Sequence, residues 1–491
     1  MLISICMPSH HVAAQSDPTG ISKLGITTDT LDSPWTIDGN PAGIPFSGLE
    51  SRGRVGVSSN YTSGDFARVQ TPDQQFNNSF EAEGDYQFED WHATGGVSLG
   101  LDQQRGVEWS QINQPHAGMP YMWADTSGGD WYGEYIAVNG AIASPEWADR
   151  ITVGAEVSYE VKQSARRNDP RPLFRDAQMK VNPGVMIRMN SQWYLGMNAF
   201  YKRNIEENEV GYHAGRDPFI YVLRGYGTFS RTQIVRGERE RTADFLGSSV
   251  QNQFEAFEGS ILSSVSYTRR EHDIRVGVST PDFGGGYTHD DFRIRFAYEK
   301  MGSSFRKFGA DMGWKTGRGT DPNFERQNTK DEDLRATFFY EWMDAVTSSS
   351  SNYRLALSLT GYQQKIEDQA SVNSWEITTV EPALTAEWRG NVISNHDFIV
   401  MINGRYRYVA GAQRDFPTVN TAVEAIYEPD YRFLSEHAIQ TSLEMGDSVP
   451  VSEGSQALEI RFNPALTRGN HPNLDETAWR YQLNGSISWF Y

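Results

Sequence analysis

The chain has a single cysteine in 491 residues, Cys6. That excludes an intrachain disulfide and a cysteine-based zinc site. It also lacks any uninterrupted apolar run near the ~18 residues of a membrane-spanning helix, which excludes a helical membrane protein. Basic residues are in the minority: 44 Lys and Arg stand against 63 Asp and Glu, for a net charge of −19. A nucleic-acid partner calls for a basic patch, so this balance argues against one. No repeat with a period of about 20–50 residues is found, which weakens propeller and solenoid readings. The Gly-x-Ser-x-Gly elbow, the zinc helix motif and the Walker loop are all missing, and no enzyme, cofactor or metal is expected.

What the chain does have is aromatic residues, 12% of it, against 38% apolar residues and a mean hydropathy of −0.57. That mixture suits strands that are apolar on one face only. Ile151, Val153, Ala155, Val157, Tyr159 and Val161 alternate with polar residues and glycine without a break in parity. Similar faces run from Trp193 to Tyr201, Phe292 to Tyr298, Phe308 to Trp314, Leu334 to Trp342, Tyr353 to Leu359 and Val400 to Tyr408. Each run is about 7–12 residues long, close to the ~9–11 that a tilted strand needs to cross the hydrocarbon layer. The pattern predicts an all-β, transmembrane, antiparallel up-and-down barrel with an even number of strands, about 14–18. The barrel is expected over residues 51–491, after a partial signal peptide at 1–14 and a plug or periplasmic segment at 15–50. The apolar N-terminus has no positive region before it, so the natural start is expected upstream of Met1.

Charge settles which face is which. Arg293 and Arg295 share one strand, Arg405 and Arg407 another. An arginine on the lipid face costs ~2–4 kcal/mol at mid-membrane, so the wrong register would cost up to roughly 4–8 kcal/mol in one strand. These four are expected to face the lumen. Glu156, Glu160, Asp311, Glu341 and Glu459 fall on the same polar parity, as do Arg275, Arg335, Arg461 and Arg480. Strand aromatics such as Trp193, Trp314, Trp342, Trp375 and Trp388 are expected in girdles at the two membrane interfaces.

The last residues, Trp479 to Tyr491, alternate apolar and polar and end on Ile487, Trp489 and Tyr491 of the apolar face. This resembles the C-terminal strand of bacterial outer-membrane barrels, with Tyr where Phe or Trp is more usual. The resemblance implies a Gram-negative outer membrane, outer-membrane lipid around the wall, and recognition by the barrel-insertion machinery. Near the other end, Asn40, Pro41 and Ala42 precede the first strand. Asn-Pro with a following Gly reads physically as a turn. The three residues also resemble the hatch element of the outer-membrane fatty-acid and hydrocarbon transporters (FadL-like), which implies a small N-terminal plug. The layout further resembles uncharacterised Bacteroidota barrels whose genes accompany TonB-dependent uptake systems, and such a system is the implied partner.

Loops are expected to alternate short and long, with short ones such as Thr268–Asp273 in the periplasm and long ones such as Glu206–Val250 outside. Within the latter, Phe219–Leu223 reads either as a further strand or as an ordered external hairpin. His289 falls on an expected external loop, while His272 and His396 fall on expected periplasmic turns, so no shared histidine site is expected. The function expected from all this is passage of a small nutrient or hydrophobic compound. The competing reading is a non-transporting accessory barrel of a larger complex.

Overall fold

The computed structural model describes residues 35, 39–46, 52–213, 219–233, 235–344, 351–391, 396–451, 456–470 and 476–491. The signal-peptide segment and most of 15–50 lie outside the described residues. Eighteen strands form one closed antiparallel sheet. The first seven are β1 (Arg52–Ser63), β2 (Gln74–Phe88), β3 (Trp91–Val107), β5 (Gly129–Ala143), β6 (Ile151–Arg166), β7 (Leu173–Asn190) and β8 (Trp193–Gly211). The wall continues with β11 (Arg236–Ala256), β12 (Gly259–Val276), β13 (Asp282–Lys300), β14 (Ser304–Thr320), β15 (Gln327–Asp344) and β16 (Ser351–Asp368). It ends with β17 (Asn373–Gly390), β18 (Asp397–Asp415), β19 (Ala438–Pro450), β20 (Ala457–Asn470) and β21 (Thr477–Phe490). Each strand pairs with its predecessor in the wall, and β21 pairs back on β1 from Arg54↔Phe490 to Ser63↔Tyr481. The number lies at the top of the expected range.

Closure is completed by Tyr491, which exchanges backbone hydrogen bonds of 2.8 and 3.0 Å with Gly53. Its ring lies on that glycine, where a Cβ would sit 2.3 Å from the aromatic carbon Cζ. Ile487, Trp489 and Tyr491 all point outward and are about half exposed. Phe490 points inward and is buried beneath the Arg52 guanidinium, 4.4 Å from its ring centroid.

The outer face carries the expected apolar belt: Val57, Leu99, Ile136, Val157, Met197, Val265, Ile294, Met312, Phe338, Leu357, Leu384 and Ile402 are all exposed. Strands run from 12 residues in β1 to 21 in β11. A tilted strand of the latter length stands about 50 Å tall, twice the ~25 Å apolar band. The surplus rises on the side of the long loops, where the outer face is wet. This overturns one expected lumen residue. Arg275 lies on the outward parity of β12 and is half exposed, paired to Asp273 at 2.8 Å. The lipid penalty that orients mid-membrane arginines does not apply above the membrane. The same surplus explains why Thr268–Asp273 is not a turn but the interior of β12.

Nine neighbouring strands, β20 and β21 through β1 to β8, line one cavity of ≈ 1370 Å³, mostly by outward residues such as Val57, Phe80, Leu99, Ile136 and Ile487. A convex wall has no such cavity, so the barrel is dented along this side. Short connections such as Phe257-Glu258, with φ of 55° and 61°, gather at the end opposite the long loops. Positive φ at both central residues is the geometry of a tight hairpin turn.

Candidate functional site: the lumen between the lid and the N-terminal segment

The described residues of the three longest connections, 108–128, 212–235 and 416–437, turn inward rather than outward. They carry β4 (Tyr121–Ala124), β9 (Phe219–Arg224) and β10 (Phe229–Gln233), which form a second sheet, and α1 (Glu428–Leu434). Phe219–Leu223 is therefore the first arm of an ordered hairpin with β10, the second of its two readings, within this inner sheet. The lid has an apolar core of its own: Met122, Leu223, Tyr226, Ile426 and Tyr427 pack with Ile366 of β16 and with Trp375 and Ile377 of β17. Trp375 is thus buried under the lid, edge-to-face with Tyr226 at 5.5 Å, and is not a girdle residue. Its odd parity on β17 points inward, opposite to Leu384, which is exposed on the outer wall.

Polar tethers fix the lid around the circumference. Arg166 of β6 pairs with Asp125 at 2.7 Å, both side chains being essentially inaccessible. Asn208 of β8 donates to Gln111 O (3.2 Å), Arg239 of β11 to Tyr121 O (3.0 Å) and Asn373 of β17 to Tyr226 O (3.1 Å). Asp321, beyond β14, pairs with Arg224, and Arg68 of the first external loop pairs with Asp430. Contacts on so many sides mean that the lid spans the mouth. Gly227, at φ 143°, passes so close to the wall that a Cβ would meet Asn373 Nδ2 at 2.1 Å. Asn420 accepts from the backbone N–H groups of Ala422 and Val423 and so caps the helical segment. Burial holds the Tyr226 and Tyr427 hydroxyls well above the usual phenol range. Burial, with the Arg68 charge second, holds the loop histidine His116 neutral well below its usual range.

At the opposite end the N-terminal segment lies against the inner wall. Three inward glycines make room for it: a Cβ at Gly154 would meet Pro41 and Ala42 at 2.5 Å, at Gly184 the Asn40 Oδ1 at 2.1 Å, and at Gly196 the Trp35 ring at 2.5 Å. Asn40 donates from Nδ2 to Gln251 Oε1 (3.0 Å) and accepts from Ala42 N–H (3.1 Å). Asn182 Nδ2 donates to Gly39 O (2.6 Å) and to Glu156 (2.8 Å), and Glu156 pairs with Lys180 at 2.9 Å. Asn40, Pro41 and Ala42 are buried there, with Trp35.

Between lid and segment the inward charges mostly pair with each other. Arg293 and Arg295 both reach Asp311 (Nε–O 2.7 and 2.8 Å). Arg354 joins Glu341 (2.6 Å) and Glu387 (3.4 Å), Arg461 joins Glu444 (3.0 Å) and Glu459, and Arg405 lies 4.0 Å from Glu381. Glu160 and Arg335 also lie on inward parity, and Arg335 remains exposed to the lumen. Two expected lumen cations have a structural task instead. Arg407 donates to the Glu436 and Phe433 carbonyls at the end of α1, and Arg480 to Gly64 O and Pro72 O of the first external loop.

Sequence reasoning missed the buried ions Glu206, Arg239 and Arg241 because it placed them in the loop Glu206–Val250. Their signal was present: Arg239 and Arg241 alternate on one parity of β11 and both meet Glu206 of β8. The histidine geometry also differs from expectation. His272 is on β12, not at a periplasmic turn, and lies 5.8 Å from Tyr287, which stacks with His289 at 6.2 Å. Among the described residues no group of three or more His, Cys, Asp or Glu side chains is placed to hold a metal.

The family described as a family of unknown function (DUF6850) matches residues 41–491, and the chain belongs to it. No curated protein matches it in sequence. Among solved structures it is similar to BauA, the ferric preacinetobactin receptor of Acinetobacter baumannii, at 10% identity and a TM-score of 0.43, over 90% of this chain and 80% of that one. It is similar also to the outer membrane protein opdK of Pseudomonas aeruginosa (10% identity, TM-score 0.35, 90% and 99% covered). A third is a TodX mutant, a monoaromatic hydrocarbon channel (9%, TM-score 0.32, 92% and 93% covered). Likenesses this distant carry no functional argument.

Proposed function

We propose that this member of a family of unknown function sits in the outer membrane of a Gram-negative bacterium and passes a small solute, with the N-terminal segment as a periplasmic hatch. The observation that carries the reading is the slot of Gly154, Gly184 and Gly196, a recess in the wall that receives Trp35, Asn40, Pro41 and Ala42. Glycine in a strand interior weakens it, so three at one docking place have a packing reason. Solute would enter past the lid, meet a lumen of both charge signs, and leave when the segment withdraws. Such a lumen suits a polar solute better than a hydrophobic one, which sets this version apart from a FadL-like hydrocarbon path. The segment's Asn40-Pro41-Ala42 supports only the hatch half of that resemblance. Deletion of residues 35–46 should raise solute permeability in liposome swelling, and a barrel that stays as tight as wild type would sink the hatch.

The second reading, an accessory barrel without transport, draws support from the dented outer wall, whose apolar cavity is wide enough to seat part of a partner. A TonB-dependent receptor is the partner implied by the Bacteroidota resemblance. Co-purification at a fixed stoichiometry, with no conductance of the isolated barrel, would favour it.

A further inference from the structure

We infer that the lumen carries an oxyanion-binding bay on β13, β14 and β15, centred on Arg335; this deepens the passage reading by naming the solute class. Arg293, Gly313 and Arg335 stand in one register row, Arg293↔Gly313 and Gly313↔Arg335. Two strand spacings of ~4.8 Å put the two arginine positions about 10 Å apart. Between them the wall has no side chain. A Cβ on Gly313 would have only the Phe292 carbonyl within reach, at 4.0 Å, so the place is open space.

Arg335 differs from its neighbours. Arg293 and Arg295 are committed to Asp311, and Arg405 faces Glu381. Arg335 makes no ion pair with any described residue and keeps its side chain exposed toward the lumen. The charges that act on it are Arg293 and Arg405 of its own sign, with Asp311 and Glu381 opposing them. Arg293, Arg295, Arg335 and Arg405 face Asp311 and Glu381, and the adjoining row Asp291↔Lys315↔Asp333 sets a lysine between two carboxylates. The open place beside Arg335, rather than a net local charge, therefore marks the bay. A planar guanidinium pairs with carboxylate or phosphate oxygens through two parallel N–H donors, so an oxyanion is the ligand that this bay completes.

Isothermal titration of the full chain in detergent with acetate, and separately with inorganic phosphate, tests the site without requiring passage. Arg335→Gln should weaken binding about tenfold or more, and Arg335→Lys should keep part of it. Gly313→Leu leaves every arginine in place but fills the bay, and should weaken binding as well. Equal affinity in wild type, Arg335→Gln and Gly313→Leu overturns the bay. Planar-bilayer current separates the two proposals. A silent wild-type barrel that still binds phosphate sinks passage and keeps the bay. A conducting barrel whose titration ignores Arg335→Gln keeps passage and sinks the bay. Acetate binding without phosphate binding, or the reverse, identifies which oxyanion it takes.

Discussion

The lid at one end of the barrel and the N-terminal segment at the other both occupy the lumen, yet they are held by different chemistry. The lid brings an apolar core of its own, roofed by Tyr226, Ile426 and Tyr427 and floored by Trp375 and Ile377. Fully burying such side chains stabilises by about 1.5–3 kcal/mol each. Among its described residues the segment brings two large apolar side chains, the buried Trp35 and the half-buried Phe46 on Tyr194, and otherwise rests on amide hydrogen bonds through Asn40, Gln251 and Asn182. Net worth per such bond is only about 0.5–1.5 kcal/mol, because water competes for the same groups. The comparison separates a part built to stay from a part able to leave.

The largest expected effect is on the lid. Arg166→Ala leaves Asp125 buried without its partner, and breaking a buried pair costs about 3–5 kcal/mol. Urea unfolding in detergent should show that loss, together with chymotryptic cleavage in 108–128, which holds Trp109, Tyr121 and Trp123. A variant as stable as wild type, with the lid still protected, would mean that the apolar core alone holds it. At the other end, Asn40→Ala leaves Gln251 and the wall without their partner, at about 1–3 kcal/mol. The barrel is independent of that contact, so its unfolding should be unchanged while solute leak rises. If Asn40→Ala lowers barrel stability as much as Arg166→Ala does, the two regions are not of different kinds.

How much of this was legible depends on how far in sequence the partners lie. The parity of β13 and β14 placed Arg293, Arg295 and Asp311 inside because each strand signals its own faces. Arg275 failed on the same rule, since parity says nothing about where a strand leaves the membrane. The lid was not legible: Met122, Tyr226, Trp375 and Tyr427 meet across some 300 positions, and each looks locally like a loop or strand aromatic. The glycine slot was half legible. Gly154, Gly184 and Gly196 stand out inside strands, but only the fit of Trp35 and Asn40 against them shows their use.

The smallest effect concerns acid. His116 sits in the lid beside Thr71, whose hydroxyl is 3.3 Å from Nε2, and faces Arg68, itself paired to Asp430. Burial and the Arg68 charge lower its folded pKa below the ordinary 6.5. A depressed folded pKa means that the unfolded or opened lid binds the proton more readily. Stability from this group is therefore complete above pH ~6.5 and declines as pH falls from there toward the folded pKa. The segment at the other end has no described histidine in contact with it, so its release should not follow this window. Between pH 7 and 5.5, chymotryptic cleavage of the wild-type lid in 108–128 should rise modestly while the leak attributable to the segment stays flat. His116→Gln should flatten the lid's response as well. A response that persists in His116→Gln would take the acid sensitivity away from His116, and would remove this distinction between the two ends.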